Sequence, residues 1–354
     1  MAVMDILQPW LKAVENELAE AFSSNVEAAN GMYNMMQYHL GWRDENLQML
    51  PVRKGGKYLR PMLCLISHHA VCGSIERALP LAASIELQHN ATLILDDVED
   101  GDEIRRGHPT VWKLFGVPQG VNTGDAMSDV ALKSLWRLKS NGVSSDILLE
   151  IVKESIAIAL EIREGQYMDI YFETRLDVST EEYLCMIEKK TGALIELSTY
   201  GGAFLANQDT LVTEPFRKFG RKLGIAMQIR DDLVGIWGDG NESGKFKAAD
   251  LRKKKKTLPV IFTMEHITGK RKEQMIKIYK SPGLMSDSNI QLMHEILDEA
   301  GAYEFCYKIA KDNEFALEGI IEKTTLEKSK YESLLEFASV SCDSIGRLNN
   351  YMVV

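Results

Sequence analysis

Apolar residues recur along this chain at spacings of three and four rather than two. Ile6, Leu7, Trp10, Leu11, Val14 and Leu18 form one such series, and Ile147, Ile151, Ile156 and Leu160 form another; this is the pattern of helices that bury one face. Ser179-Thr180-Glu181-Glu182 ahead of Tyr183 reads as a capping box that opens a further helix. No stretch alternates apolar and polar positions as a half-buried strand does, and Asn141-Gly142 separates two helical segments instead of turning a hairpin. Pro51, Pro109, Pro118 and Pro282 fall at helix boundaries, and the predicted loops are 101–120, 173–179, 238–256 and 281–289. No linker rich in Gly, Pro or Ser interrupts the pattern, and no repeat of fixed period appears. The expectation is one all-α domain over residues 1–354, a multi-helix bundle.

Composition narrows the function. The chain has 354 residues, 45% of them hydrophobic and 26% charged, which is enough for a packed core under an ordinary soluble surface. A net charge of −10 argues against a nucleic-acid binder, because phosphate backbones need a basic footprint. Local basic clusters can still hold a small phosphorylated ligand. The five cysteines (Cys64, Cys72, Cys185, Cys306, Cys342) are scattered, odd in number and without a CxxC pair, as expected of free thiols in a reducing compartment. The first twenty residues carry Asp5, Glu15 and Glu17 and no basic start, so no secretory signal is expected. The apolar run 147–162 is broken by Glu150, Lys153, Glu154 and Glu161, so no transmembrane segment is expected either. A cytoplasmic protein is the resulting expectation.

Candidate chemistry lies in two acidic clusters. Asp96, Asp97 and Asp100 follow the apolar run Ala91–Leu95, and residues four apart on a helix share a face. Crowded carboxylates repel one another unless a cation sits among them, and magnesium takes one or two carboxylates with phosphate oxygens completing its shell. A solvated acidic helix end would explain this cluster equally well if it stood alone. Asp231 and Asp232 repeat the arrangement after Leu223, Ile225, Ala226 and Met227, again at the end of an apolar segment. Two such rims facing each other would cage a polyanion and its metal ions. Basic residues match the acids: Lys57 and Arg60 lie three apart and therefore on one helical face, and Arg105-Arg106 follow the first cluster. His89 stands two helical turns before Asp96, and Lys190 and Lys245 add further cations. A histidine there is often a satisfied core residue, and most of Lys253–Lys256 reads as a solvated face. Together the cations and carboxylates suggest two diphosphates, one chelated by metal and one held by side chains alone.

The order GGKYLRP, HNATLILDDVED, RRGHPTVW, NTGD, EGQYMDIYFE, KKTGAL, QIRDDLVGIWGD and GKFKAADLRKKKKTLP resembles the trans-polyprenyl diphosphate synthases, most of all the bacterial geranylgeranyl diphosphate synthases. The resemblance runs from about Gly55 to Pro259. It implies an isoprenoid-synthase bundle around a deep central cavity, a homodimer, and about three magnesium ions per active site. It also implies that Asp96, Asp97, Asp100, Asp231 and Asp232 bind the metal. Lys57, Arg60, His89 and Arg106 match the isopentenyl diphosphate site, and Arg105, Lys190 and Lys245 match residues on the allylic diphosphate. Thr191 and Gln228 match polar groups near the developing carbocation. Lys256 is a weaker match because its neighbours blur the register. One departure stands out: relatives often read DDxxD in the second motif, but here the fifth position is Gly235. The nearest later acid is Asp239.

In the implied reaction, metal and cations favour loss of the allylic diphosphate, and the isopentenyl double bond attacks the resulting cation. Positioning makes the addition local, and water must be excluded. Released diphosphate takes the proton. The growing tail should descend the helix that carries Asp96, past Thr92 and Ala91 and then Gln88, Leu87 and Ser84, at about 5.4 Å per turn. Ala91 and Thr92 are small where farnesyl-type relatives carry a bulky aromatic, so a product longer than fifteen carbons, of twenty, is expected, with Gln88 also on the chain-length path. Two alternatives share parts of this pattern. A class I terpene cyclase would carry (N/D)DxxSxxxE as its second motif, which Gly235 breaks, and has no use for the isopentenyl cations. A non-catalytic partner subunit usually loses an aspartate motif, and this chain keeps the first.

Overall fold

The computed structural model describes residues 3–22, 26–53, 55–238 and 248–343. Helices dominate them in the order α1 (Val3–Ala21), α2 (Asn30–His39), α3 (Leu59–Cys72), α4 (Leu79–Glu99), α5 (Val111–Phe115), α6 (Val117–Ser134), α7 (Arg137–Ser140), α8 (Ser145–Glu173) and α9 (Thr180–Ile187). A π-helical turn, Glu188–Gly192, leads into α10 (Ala193–Ala206). Then follow α11 (Thr210–Trp237), α12 (Ala249–Arg252), α13 (Leu258–His266), α14 (Gly269–Lys280), α15 (Asp287–Glu299), α16 (Ala302–Ile321) and α17 (Lys328–Asp343). The all-α expectation holds.

Contacts divide the chain into two compact units. One comprises Met1–Ala159, Leu197–Phe216 and Thr324–Leu334; the other comprises Leu160–Glu196, Arg217–Lys323 and Leu335–Val354. In the first unit every residue of α4 from Pro80 to Gln88 is buried, which marks it as a helix surrounded by others. It packs chiefly on α6 and α3. Leu63, Leu65, Leu81 and Leu87 are fully buried there, each adding about 1.5–3 kcal/mol relative to exposure. In the second unit, Phe172, Tyr183, Ile187, Ile229, Leu233 and Leu258 form one buried cluster, and Ile236, Leu251, Val260, Met293 and Ile296 form another.

The capping box is present. Ser179 Oγ accepts from Glu182 N–H at 3.1 Å, and Glu182 Oε2 accepts from Ser179 N–H at 2.9 Å. Three expectations need correction. The predicted loop 101–120 contains a short antiparallel hairpin, β1 (Ile104–Arg105) and β2 (His108–Pro109), and then α5 and the start of α6. Its two central residues, Arg106 and Gly107, both take positive φ (51° and 79°), as a type I′ turn demands; arginine at such a position is no sequence signal for a hairpin. Lys57 and Arg60 do not share a helical face, because Tyr58 is left-handed (φ 46°) and α3 begins only at Leu59. Loop 238–256 contains α12 in its described part.

Candidate active site

In the first unit, α4 delivers Asp96 and Asp97 in its last turn, and Asp100 closes it, donating its N–H to Asp96 O at 2.8 Å. Asp97 is 1% exposed, and its Oδ1 accepts from Arg105 Nε at 2.6 Å. Arg105 Nη2 also lies 3.5 Å from Asp96 Oδ2. The hairpin holding Arg105 is fastened to the helix end: Thr110 Oγ1 and Trp112 Nε1 donate to Asp102 O at 2.8 and 2.9 Å. Tyr38 Oη donates to Pro109 O at 2.6 Å. Seven residues before Asp96, His89 Nε2 is 3.2 Å from Arg60 Nη1. A guanidinium only donates, so Nε2 accepts and the neutral ring carries its proton on Nδ1. Burial, together with Arg60, Arg106 and Arg105, holds the His89 pKa well below its ordinary value. A Cβ on Gly56 would meet Arg106 Nη2 at 3.3 Å, so the segment before α3 runs beside that guanidinium.

In the second unit, α11 carries Asp231 and Asp232. Asp232 is buried and receives three donors: Tyr183 Oη to Oδ2 at 2.6 Å, Leu258 N–H to Oδ2 at 3.1 Å and Gln228 Nε2 to Oδ1 at 3.1 Å. The Leu258 bond places a carboxylate at the N-terminus of α13, where the helix dipole favours it. Burial still pushes Asp232 up to about 7 against these three donors. Thr191 Oγ1 donates to Gln228 Oε1 at 2.7 Å, so Thr191, Gln228 and Asp232 form one chain. Lys190 Nζ donates to Asp169 Oδ2 at 2.6 Å. The π-helical turn presents Lys190 and Thr191, and α8 reaches it only because Gly165 has no side chain: a Cβ there would stand 2.4 Å from Lys190 N. Lys256 Nζ donates to the carbonyls of Phe172 and Glu173 at 2.6 and 2.8 Å and to Arg175 O. It therefore closes the C-terminus of α8.

The donor set fits a hard divalent cation, being all carboxylate oxygen. Asp97 Oδ2 is buried with no hydrogen-bond partner, an arrangement that costs free energy unless a proton or cation satisfies it. Burial pushes Asp97 up to about 6, outweighing Arg105. Among the described residues no three His, Cys, Asp or Glu side chains stand as a finished metal cage. A hard cation held by these aspartates would need further oxygens from ligand and water.

Residues 45–297 match the sequence profile described as polyprenyl synthetase. The chain belongs to the polyprenyl synthetase family. It is 35% identical to a short chain isoprenyl diphosphate synthase of Methanothermobacter thermautotrophicus over 88% of this chain and 90% of that one. It is 38% identical to a (2E,6E)-farnesyl diphosphate synthase of Mycobacterium tuberculosis, covering 76% and 74%. A crystal structure of geranylgeranyl pyrophosphate synthetase from Pyrococcus horikoshii superposes with a TM-score of 0.85 at 28% identity, covering 96% of this chain and 98% of that one. The enzyme is thus a prenyltransferase of the trans-prenyl diphosphate synthase type.

Of the sequence-predicted residues, the enzyme gathers Asp96, Asp97, Asp100 and Arg105 at one helix end, with Arg60 and His89 paired on the same unit. Thr191, Gln228 and Asp232 are joined on the other, where Lys190 bonds Asp169. Lys245 and Asp239 lie outside the described residues. Sequence reasoning passed over Asp169 and Tyr183, although Asp169 stands inside the quoted EGQYMDIYFE segment. It also passed over Glu86, a carboxylate 3% exposed that accepts from Asn90 Nδ2 at 2.9 Å. Burial raises its pKa, outweighing Asn90, Arg106 and Arg60, which pull it down. Its place one turn before Asn90 on an apolar helix was the available signal.

Proposed function

We propose that the enzyme, as one functional domain, extends a dimethylallyl, geranyl or farnesyl diphosphate with isopentenyl diphosphate to geranylgeranyl diphosphate. Asp96, Asp97, Asp100, Asp231 and Asp232 would hold magnesium, whose charge stabilises the departing allylic diphosphate. Arg105, Lys190 and Lys245 supply further positive charge to that group. Lys57, Arg60, His89 and Arg106 fix isopentenyl diphosphate without metal; the neutral His89 contributes a donor rather than a charge. The Thr191 and Gln228 dipoles lie beside the developing cation.

The observation that carries the twenty-carbon reading is the course of α4, unbroken from Leu79 to Glu99. It sets Thr92 and Ala91 one turn and slightly more below Asp96, at about 1.5 Å of rise per residue. Ala91 is 0% exposed and Thr92 turns its hydroxyl back to His89 O at 2.7 Å, so neither offers a bulky stop; Gln88 is the next polar residue down the path. Incubation with magnesium, isopentenyl diphosphate and each allylic starter, followed by sizing of the dephosphorylated products, tests this. A main product of twenty carbons is expected. A product ending at fifteen would refute the length, and no turnover with any starter would refute the reaction.

A homodimer is supported by α8, which exposes Leu149, Ile156, Leu160, Tyr167 and Tyr171, spaced by seven and four along one stripe. A cytoplasmic location is supported by the cysteine usage, five scattered residues with no CxxC pair. No helix among the described residues is long and apolar enough to cross a membrane.

A further inference from the structure

One side chain on α11 is bonded to the helix before the π-helical turn, to the turn itself and to the helix after it. Arg221 donates Nη1 and Nη2 to Glu161 Oε1 and Oε2 on α8, at 2.7 and 3.2 Å. Its Nε donates to Glu196 Oε2 on α10 at 2.5 Å. Its Nη1 also donates to Glu188 O, the first carbonyl of the turn, at 3.2 Å. That carbonyl already accepts from Ala193 N–H, five residues on, the bond that makes the turn π-helical. The pair with Glu161 is a two-bond fork, which fixes direction as well as charge. Glu196 is 6% exposed and needs a countercharge, but Arg217 Nη1 supplies one to its Oε1 at 2.6 Å. What Arg221 adds is the simultaneous reach to α8 and to the turn.

Gly224 and Gln228 follow Arg221 by three and seven residues, on the same face of α11. A Cβ at Gly224 would stand 2.6 Å from Gly192 Cα, so the turn and α11 touch there backbone to backbone. Gln228 Oε1 accepts from Thr191 Oγ1 at 2.7 Å. The turn is thus laid against one stripe of α11 at three points: Glu188 at Arg221, Gly192 at Gly224 and Thr191 at Gln228. We infer that Arg221 is a positioning residue for prenyl transfer, fixing the register of the π-helical turn on α11 and so the place of the Thr191–Gln228 pair. This rests on the reading of Thr191 and Gln228 as groups beside the developing cation. A π turn is a rare backbone form that persists where its surroundings hold it. Relaxation to ordinary α spacing would rotate Thr191 relative to Gln228. Arg221 opposes that relaxation from the end of the turn remote from Thr191, so it acts without touching substrate.

The test is a single-turnover cycle on the full-length enzyme with magnesium, geranyl diphosphate and isopentenyl diphosphate. Enzyme is in excess, so the rate constant reports chemistry and does not scale with the folded fraction. Arg221→Lys and Arg221→Gln are each made alone and together with Thr191→Val. Lysine keeps a positive charge beside Glu161 and Glu196 but lacks the fork, so its urea midpoint should stay near that of the parent; if the glutamine variant does not fold, the lysine cycle decides alone. Each Arg221 variant alone is expected to lower the rate constant about 10- to 100-fold, the scale of a displaced group near the reacting atoms. In the Thr191→Val background the further loss should be about threefold or less, because the group being positioned is already gone. A parental rate constant in Arg221→Lys, or the same fold-loss in both backgrounds, overturns the positioning role while the reading of Thr191 stands. If Thr191→Val alone keeps the parental rate constant, that reading falls and takes this one with it.

Discussion

Replacing Arg60 by lysine separates the two diphosphate sites by charge geometry alone. Arg60 stands in the first turn of α3 with Nη1 3.2 Å from His89 Nε2, so the imidazole orients the guanidinium fork. Lysine keeps the positive charge but loses the planar fork and its orientation. Loss of one charge-assisted hydrogen bond to phosphate costs about 1.5–3 kcal/mol, which is about a 10- to 150-fold weaker hold on isopentenyl diphosphate. Initial rates are measured with isopentenyl diphosphate varied at saturating allylic substrate, and then the reverse. KM for isopentenyl diphosphate is expected to rise by that factor while KM for the allylic substrate stays within about threefold. Equal rises in both constants, or no rise in either, would refute the assignment of Arg60 to the metal-free site.

Three further outcomes follow from the same geometry. Ala91→Phe introduces a ring at a fully buried position of α4, costing about 1–3 kcal/mol by overpacking. It should shorten the main product to fifteen carbons or fewer; an unchanged product from a folded variant would count against the α4 path. Tyr183→Phe removes a 2.6 Å donor from buried Asp232, so unfolding in urea should show a loss of about 1–3 kcal/mol, with weaker magnesium-dependent diphosphate binding. His89 has a folded pKa well below its unfolded value. Its contribution is therefore intact above about pH 6.5 and is lost as pH falls below that, because only the unfolded chain takes up the proton. Urea midpoints at pH 7.5 and 5.5 should accordingly differ less in His89→Gln than in the parent.

Much of this was legible in the chain because it is local. The run that carries Asp96 also carries His89 and Ala91 at helical spacing, and α4 is a single unbroken helix, so their order along its axis could be read directly. The capping box at Ser179 needs only four residues. The hairpin escaped because its turn rests on Arg106 in the left-handed region, a conformation imposed by the surrounding contacts and not by arginine's own preference. The register of Lys57 escaped for the same reason at Tyr58. Asp169 and Tyr183 became visible only through packing. Their partners Lys190 and Asp232 lie 21 and 49 residues away, and no periodicity links residues so separated.

The central claim is that one diphosphate is held through magnesium and the other by side chains alone. Equilibrium binding of each substrate separately, with magnesium and with a chelator, tests it most directly. Isopentenyl diphosphate should bind with the same affinity in both conditions, and geranyl diphosphate should lose about 10-fold or more in the chelator. If isopentenyl diphosphate needs the metal as much as geranyl diphosphate does, the division of Lys57, Arg60, His89 and Arg106 from the aspartate motifs is wrong.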